Sequence, residues 1–217
     1  MNKVSLRTLL PLLAALAAGA LFVISLKLPV WHLKMEAPQY QGSEALRVRV
    51  YPGSMQGDLR EITVLNKYIG VRIPENLPEL RWLPVALLAA AVLGVGALAL
   101  RGAARRRSLF TVAILLSLVM LASAAMAQWQ MHQIGHERDP HAALKGVGNF
   151  TPPILGSVKV ANFTITTGFG PGAFAIAAGI LLEIGAGMLS RPRAQSCRDA
   201  AKHSDVAHVR NPSIMTA

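Results

Sequence analysis

The chain has 217 residues, of which 53% are apolar, and it carries a formal net charge of +11. Its mean hydropathy is +0.41, so an ordinary soluble domain is not the first expectation and the lipid bilayer is. The single cysteine, Cys197, excludes an internal disulfide framework and a paired-cysteine metal or redox site.

Four apolar runs have the length expected of membrane-spanning helices. The first holds 18 uncharged residues before Lys27, which corresponds to about 27 Å of helix, close to the hydrocarbon thickness of a bilayer. The second and third runs contain no charged residue, whereas the fourth contains Glu183 and is the weakest. The runs cover residues 9–30, 83–100, 109–129 and 173–189.

The first run has two interpretations. Residues 1–7 form a basic leader, and the small residues 17–20 resemble the cleavage site of a secretory signal peptide. However, the apolar run continues for about ten residues beyond that site. We therefore favour a retained membrane anchor over a cleaved signal.

The basic residues are concentrated at three places along the chain. By the positive-inside rule, both termini and the link 101–107 are predicted to be cytoplasmic, in the inner membrane of a bacterium. The connections 31–82 and 130–171 have nearly balanced charge and are expected outside. Because topology explains the positive charge, and no aromatic residues are interleaved with it, nucleic-acid binding is not expected.

The predicted fold is an all-α membrane protein with four transmembrane helices, whose two periplasmic segments form a small mixed α/β extracytoplasmic unit. The second and third helices are expected to be antiparallel neighbours, because their link is short. The predicted segments are an N-terminal tail with the first helix (1–30), the first periplasmic segment (31–82), a helical hairpin (83–129), the second periplasmic segment (130–171), the fourth helix (172–189) and a disordered cytoplasmic tail (190–217).

Local patterns predict structure in both periplasmic segments. Residues 46–51 alternate apolar and basic side chains, which is typical of a half-buried strand, and the Pro-Gly-Ser sequence 52–54 predicts a turn after it. Residues 58–69 have capping-box spacing and helical periodicity, so we expect a short amphipathic helix. The β-rich stretches 157–160 and 163–167 predict short strands or extended turns. The first segment is too small to be stable alone and is expected to pack on the second or on the membrane surface.

The second periplasmic segment begins where the third predicted helix leaves the membrane. If this helix continues for one or two turns, Gln128, His132 and His136 lie on one face, because they are four residues apart. Pro140 disfavours helix beyond Asp139.

This region holds the densest set of metal-ligand residues in the chain. Imidazole and thioether groups suit copper, and two histidines with a carboxylate suit several first-row metals. The alternative is a polar helix end whose histidines bind water and lipid headgroups, because no established metal motif is present. The candidate ligands are Met131, His132, His136, Asp139 and His141, and His32, Met35 and Met55 are candidates to join them across the surface.

Glu183 is a second candidate site. A carboxylate inside a membrane span costs about 2.5–3.5 kcal/mol on insertion scales and usually faces the bundle interior or a water-filled cavity. It is a candidate to relay protons or bind a cation. The alternatives are a neutral side chain that is hydrogen-bonded to a serine of the third helix, or one that extends to the cytoplasmic surface.

Several short motifs are distributed over both outer segments. They are 36–40, 57–59, 65–70, Gly135-His136, Asp139-Pro140, Pro152-Pro153, Gly156 and Asn162-Phe163. These motifs resemble those of an uncharacterised family of small bacterial four-span membrane proteins, whose genes often accompany those for nitrous oxide reductase maturation and periplasmic copper handling. The resemblance covers most of residues 31–170 and implies candidate metal contacts at His136 and Asp139. Where the family tends to have a histidine and a methionine, this chain has Lys67 and Val71, which removes two potential copper ligands.

The sequence contains no catalytic triad order, phosphate-binding loop or dinucleotide fingerprint, so an enzyme is not expected. We expect an inner-membrane accessory protein that assists metal delivery to, or assembly of, a periplasmic metalloenzyme, with copper as the candidate metal. Its partners would be the bilayer and a membrane or periplasmic protein. The alternatives are a non-catalytic structural or assembly subunit of a membrane complex, and a small oligomeric permease that uses Glu183.

Overall fold

The computed structural model describes residues 6–40, 42–69, 79–137, 150–160 and 162–190. The described residues form four long helices, one short helix and a small sheet. The helices are α1 (Leu6–Ser25), α2 (Leu59–Ile69), α3 (Glu79–Gly96), α4 (Ala103–His136) and α5 (Pro171–Leu189), and the strands are β1 (Trp31–Glu36), β2 (Leu46–Tyr51), β3 (Ser54–Gly57), β4 (Gly156–Val160) and β5 (Phe163–Phe169).

The four long helices form a bundle with the sheet at one end. Helix α1 leads through a turn into β1, and β5 leads directly into α5, so both helices meet the sheet. Helices α3 and α4 pack on each other and are joined at the opposite end by the arginine-rich link. The predicted antiparallel arrangement of these two neighbours is therefore confirmed.

Within the described residues, three helices are long and apolar enough to cross a membrane, namely α3, α4 and α5. The apolar part of α1, Leu9–Ser25, is shorter. Helix α1 ends at Ser25 because the next amides bond to carbonyls three residues back, which forms a turn, so the last five residues of the predicted apolar run are not helical. The chain is thus mostly helical, with three candidate spans and a small antiparallel sheet.

The outside of the bundle is covered by exposed apolar side chains on all four long helices. Contiguous apolar surface of this extent indicates contact with lipid or protein rather than water. The exposed side chains include Leu13, Leu16 and Ile24 of α1, Val85 and Val92 of α3, Ile114, Leu118 and Leu121 of α4, and Phe174, Leu181 and Met188 of α5.

Small residues allow the helices to approach closely. A Cβ added to Gly179 of α5 would lie 2.5 Å from the ring of Phe22 on α1, and one added to Gly19 of α1 would lie 3.1 Å from Val95 on α3. Membrane helices commonly pack through small residues in this way, because they lack a hydrophobic driving force between one another.

The sheet contains strands from both predicted outer segments. Its order is β3-β2-β1-β5-β4 and all neighbouring pairs are antiparallel. Strand β1 lies opposite β2 on one side and β5 on the other, with Leu33 facing both Val48 and Thr167. The strands predicted at 46–51, 157–160 and 163–167 are confirmed, and the two outer segments form one unit because β1 pairs with β5.

The amphipathic helix predicted over 58–69 is confirmed as α2, but the role of its first residues differs from the expectation. The carboxylate of Asp58 accepts a hydrogen bond from the Arg47 amide at 2.8 Å, and the Asp58 amide donates to the Arg47 carbonyl at 2.9 Å. Asp58 therefore holds α2 to β2. Gly57 has φ +122°, which allows the chain to pass close to Arg47.

Candidate functional site

The outer end of α4 carries the predicted histidine pair. The helix continues through His136, so His132 and His136 lie one turn apart on an exposed face, as the sequence predicted. Their ring centroids are 3.9 Å apart and the ring planes differ by 30°. Asp139 and His141, the other predicted ligands of this cluster, lie outside the described residues.

The Nδ1 atom of each ring has a partner. His136 Nδ1 lies 2.8 Å from the His132 carbonyl oxygen, and because a carbonyl only accepts, this nitrogen must carry the hydrogen. His132 Nδ1 lies 3.1 Å from the hydroxyl of Thr151. In neutral His136 the free lone pair is therefore on Nε2, the arrangement in which metal-binding histidines are often held by a second hydrogen bond.

The stacking of the two rings limits what the pair can bind. The lone pair of an imidazole nitrogen lies in the plane of its ring, so two rings that face each other at 3.9 Å, with planes 30° apart, do not direct their lone pairs towards one point. In the part of the chain that the structure describes, no group of three or more His, Cys, Asp or Glu side chains is placed to hold a metal ion. The pair alone supplies at most two ligands, and both bind one ion only after a ring rotates.

The candidate thioether ligands lie elsewhere. Met131, Met35 and Met55 line a cavity between the sheet and the bundle, whereas His132 and His136 are exposed on the surface of α4. His32 lies on the outward face of β1, with its ring over Gly168. The structure therefore separates the predicted set into buried thioethers and surface imidazoles.

The segment 150–154 holds the histidine-bearing end of α4 against the sheet. Gln128 of α4 donates to the Pro152 carbonyl at 3.4 Å and accepts from the Ile154 amide at 3.1 Å. Trp31 of β1 donates from Nε1 to the Ile154 carbonyl at 2.7 Å. Thr167 of β5 donates to the Pro153 carbonyl at 2.7 Å. Three separate elements thus fix this segment through side-chain hydrogen bonds.

Gly135 allows this segment to reach α4. A Cβ at this position would overlap the carbonyl of Phe150, and the Phe150 amide lies 3.4 Å from the Gly135 carbonyl. This close contact explains why the first position of the Gly135-His136 motif is a glycine. Sequence reasoning did not identify Thr151 or the bridging role of Trp31, because both act on partners that are distant in the sequence.

Glu183 lies inside the helical bundle, far from the histidine pair. Its side chain is 1% exposed, and its Oε1 occupies the position that a Cβ on Gly94 of α3 would need. Its Oε2 has no hydrogen-bond partner among the described residues. Ser117 and Ser123 of α4 donate to carbonyls of their own helix, so the structure supports neither predicted alternative, a serine partner or an extended side chain.

Glu183 lies beside stretches of the neighbouring helices that carry no charge. The stretches 9–25, 85–96 and 108–130 of α1, α3 and α4 contain no charged residue. Among the described residues, Arg105 at the start of α4 donates to the carbonyls of Leu98 and Leu100 at 2.9 Å. An ionised, unpaired carboxylate in such a place is strongly unfavourable.

The outward face of the sheet is basic. Four lysine or arginine side chains and one glutamate alternate with the inward-facing apolar residues of β1, β2 and β4. Glu36 is paired with Lys34 across 2.6 Å, so the remaining charges on this face are positive. The charged residues of the face are Lys34, Glu36, Arg47, Arg49 and Lys159.

These features define a bundle of apolar helices with a β-sheet at one end. Strands from both predicted outer segments form this sheet. No protein-family model matches the chain, and no curated protein is significantly similar to it in sequence. The arguments below therefore rest on the geometry of this chain.

Proposed function

We propose that the chain is a non-enzymatic, four-span accessory protein of a bacterial inner membrane. Its sheet, α2 and the end of α4 form an outer platform on the periplasmic side. The platform assists the delivery of a metal, with copper as the candidate, to a periplasmic metalloenzyme, or assists assembly of that enzyme. The observation that carries this proposal is the exposed pair His132 and His136, in which a carbonyl fixes the Nδ1 hydrogen of His136.

The packing of α1 supports a fourth span. Ala15 and Phe22 are each 1% exposed. Ala15 belongs to a buried cluster with Ala97 and Ala186, and Phe22 packs against Gly179 of α5. The side of α1 that faces away exposes leucines, as the other helices do. A helix that runs beside two spanning helices and has the same apolar exterior belongs in the same layer.

The position of the arginines supports cytoplasmic termini. The link that contains Arg101, Arg105, Arg106 and Arg107 lies at the end of the bundle opposite the sheet. By the positive-inside rule, that end is cytoplasmic and the sheet is periplasmic. The start of α1 and the end of α5 then both lie on the cytoplasmic side.

The histidine pair supports a surface metal contact of low ligand number. The free Nε2 of neutral His136 lies on an exposed helix end beside the ring of His132, and Asp139 and His141 follow in the sequence. A transfer site needs open positions, because the metal must leave for its acceptor. Imidazole and carboxylate ligands suit several first-row metals, including copper.

The basic outward face supports an acidic protein partner. Lys34 is paired with Glu36, whereas Arg47, Arg49 and Lys159 are exposed on the same face. A docked acidic surface would pair with these charges and would steer association. The face points away from the bundle, so it is available to a protein in the periplasm.

The test is metal binding by purified protein in detergent, measured with copper and zinc. We expect about one ion per chain in the wild type and loss of binding in the double variant His132→Ala/His136→Ala. The double variant Gln133→Ala/Glu137→Ala, on the same exposed helix end, is the matched control and should retain binding. Absence of bound metal in the wild type would remove direct metal handling.

The close contact between the two rings, whose centroids are 3.9 Å apart, favours a second candidate, a structural or assembly subunit of a membrane complex. In that case the platform binds a partner through the basic face, and the histidines only pack on each other. Co-purification of an acidic partner that is lost in Arg47→Glu/Arg49→Glu but unaffected by His136→Ala would support it.

A third candidate is an oligomeric permease that uses Glu183. The Oε2 atom of Glu183, which has no partner among the described residues, favours this candidate. Full transport by Glu183→Gln would contradict it.

A further inference from the structure

A cavity of about 240 Å³ lies between the inward face of the sheet and the outer half of α4. It is larger than engineered protein cavities of about 150 Å³ that hold benzene. Its walls come from the sheet, α2, α4 and the starts of α3 and α5. It lies away from the histidine pair, which is exposed on another face of α4.

The walls are mainly apolar and offer little to a polar ligand. The lining is almost entirely apolar, and the polar atoms of three lining side chains already bond to backbone carbonyls. Trp31 donates to Ile154, Thr63 donates to Leu59 and Ser123 donates to Val119, at 2.7–2.9 Å. Gln130, the fourth polar lining residue, also has an interaction of its own. Water or a polar molecule would lose hydrogen bonds on entering, whereas a hydrocarbon would not.

The cavity is elongated and begins at the depth of the membrane. Its lining on α4 begins at Met120 and ends at Ile134, which is about 21 Å along the helix axis. Met120 and Ala124 lie in the apolar stretch that α4 contributes to a membrane span, whereas Leu33 and Met55 belong to the sheet. The cavity therefore connects the level of the hydrocarbon layer with the sheet.

Four methionines line this space, namely Met35, Met55, Met120 and Met131. Unbranched thioether side chains adapt to flexible apolar partners and are common on surfaces that bind varied hydrophobic segments. A narrow, deformable and apolar space of this length fits a hydrocarbon chain better than a rigid ring.

We propose that this cavity binds one acyl chain of a membrane phospholipid, which leaves the bilayer beside α4 and extends beneath the sheet. The bilayer is the apolar phase that adjoins the cavity, so the chain enters without crossing water. The bound chain fills the space between α4 and the sheet and joins the platform to the membrane.

The test uses the full chain in lipid nanodiscs that contain phosphatidylethanolamine with a diazirine near the end of one acyl chain. After illumination, we expect lipid adducts on β1 and β3 peptides, at residues such as Leu33 and Met55. Ordinary surrounding lipid would label bilayer-facing residues such as Leu118 and Leu121 instead. Adducts confined to bilayer-facing residues would overturn the proposal and indicate that protein fills the cavity.

Two substitutions on α4 sharpen the test. Ala127→Phe places a ring in the cavity, and we expect at least a fivefold loss of β1 and β3 adducts. Ala125→Phe adds the same ring on the exposed side of α4 and should leave these adducts unchanged. Adducts that persist in Ala127→Phe would contradict binding in the cavity.

Further measurements test whether the variants fold and whether the bound molecule is a phospholipid. Labelling of Leu118 and Leu121 serves as the folding control, and Met55→Phe, which fills the cavity from the sheet side, should cause the same loss. Displacement of the lipid adducts by a small excess of an isoprenoid quinone would overturn the choice of a phospholipid chain.

Discussion

The carboxyl group of Glu183 on α5 packs directly against Gly94 on α3, where the stretches 9–25, 85–96 and 108–130 of the facing helices carry no charge. The absence of a side chain on Gly94 makes room for the carboxylate. The two residues are 89 positions apart in the sequence, yet the size of the side chain at each position limits the size of the side chain at the other.

Replacing Gly94 with alanine is expected to destabilise the bundle, because the new methyl group would overlap Oε1 of Glu183. Gly96→Ala is the matched control, since a Cβ there meets nothing within 4 Å. Both variants add one methyl group near the end of α3, so most of the difference between them reflects the overlap. We expect Gly94→Ala to be less stable than Gly96→Ala by about 1–3 kcal/mol, measured by thermal or denaturant unfolding in detergent. Equal stabilities would mean that Glu183 moves away without cost.

Glu183 is expected to be a neutral carboxylic acid in the folded bundle, because an unpaired charge there would be strongly unfavourable. A hydrophobic carbodiimide, which reacts with protonated carboxyl groups, should therefore label it at neutral pH. Peptide mapping should find the adduct on α5 in the wild type and not in Glu183→Gln. Glu36, an ion-paired carboxylate on the sheet, is the internal control and should not react. Failure to label α5 under conditions that label other apolar carboxyl groups would indicate a charged Glu183.

Replacing Gln128 with leucine is expected to loosen segment 150–154, because it removes one donor and one acceptor while keeping the side-chain size. Hydrogen exchange at the Ile154 amide should become faster, with local stability lower by about 1–3 kcal/mol. Gln133→Leu, on the exposed side of the same helix, should leave this exchange unchanged. Unchanged protection of Ile154 in Gln128→Leu would show that Trp31 and Thr167 hold the segment by themselves.

Removing the carboxylate of Asp58 is expected to free α2 from β2, because the Arg47 amide loses a charge-assisted acceptor. Asp58→Ala should lower stability by about 1.5–3 kcal/mol, which is typical of hydrogen bonds to charged groups. Glu61→Ala, one turn further along and exposed, tests the capping-box interpretation and should cost less. A larger loss for Glu61→Ala would restore that interpretation.

The histidine site was predictable only in part. The spacing of His132 and His136 placed them on one face, because helix geometry depends on residues close together in the sequence. The partner of His132, Thr151, lies 19 residues further along the chain, so helix geometry does not place it. Met131 was grouped with the histidines because it is adjacent in the sequence, but neighbours on a helix point about 100° apart.

Local patterns in the sequence determined the apolar helices, the strand Leu46–Tyr51 with its turn and the amphipathic α2. Hydropathy, alternation and helical spacing are properties of neighbouring residues, so they can be read along the chain. The sequence also determined that Glu183 lies within an apolar helix.

Only the tertiary structure decided that β1 pairs with β5, that Gly94 accommodates Glu183, and that the methionines line a cavity apart from the histidines. Each of these features joins residues that are far apart in the sequence. Which groups meet depends on how the helices pack and how the strands align, because many alternative partners satisfy the same local pattern.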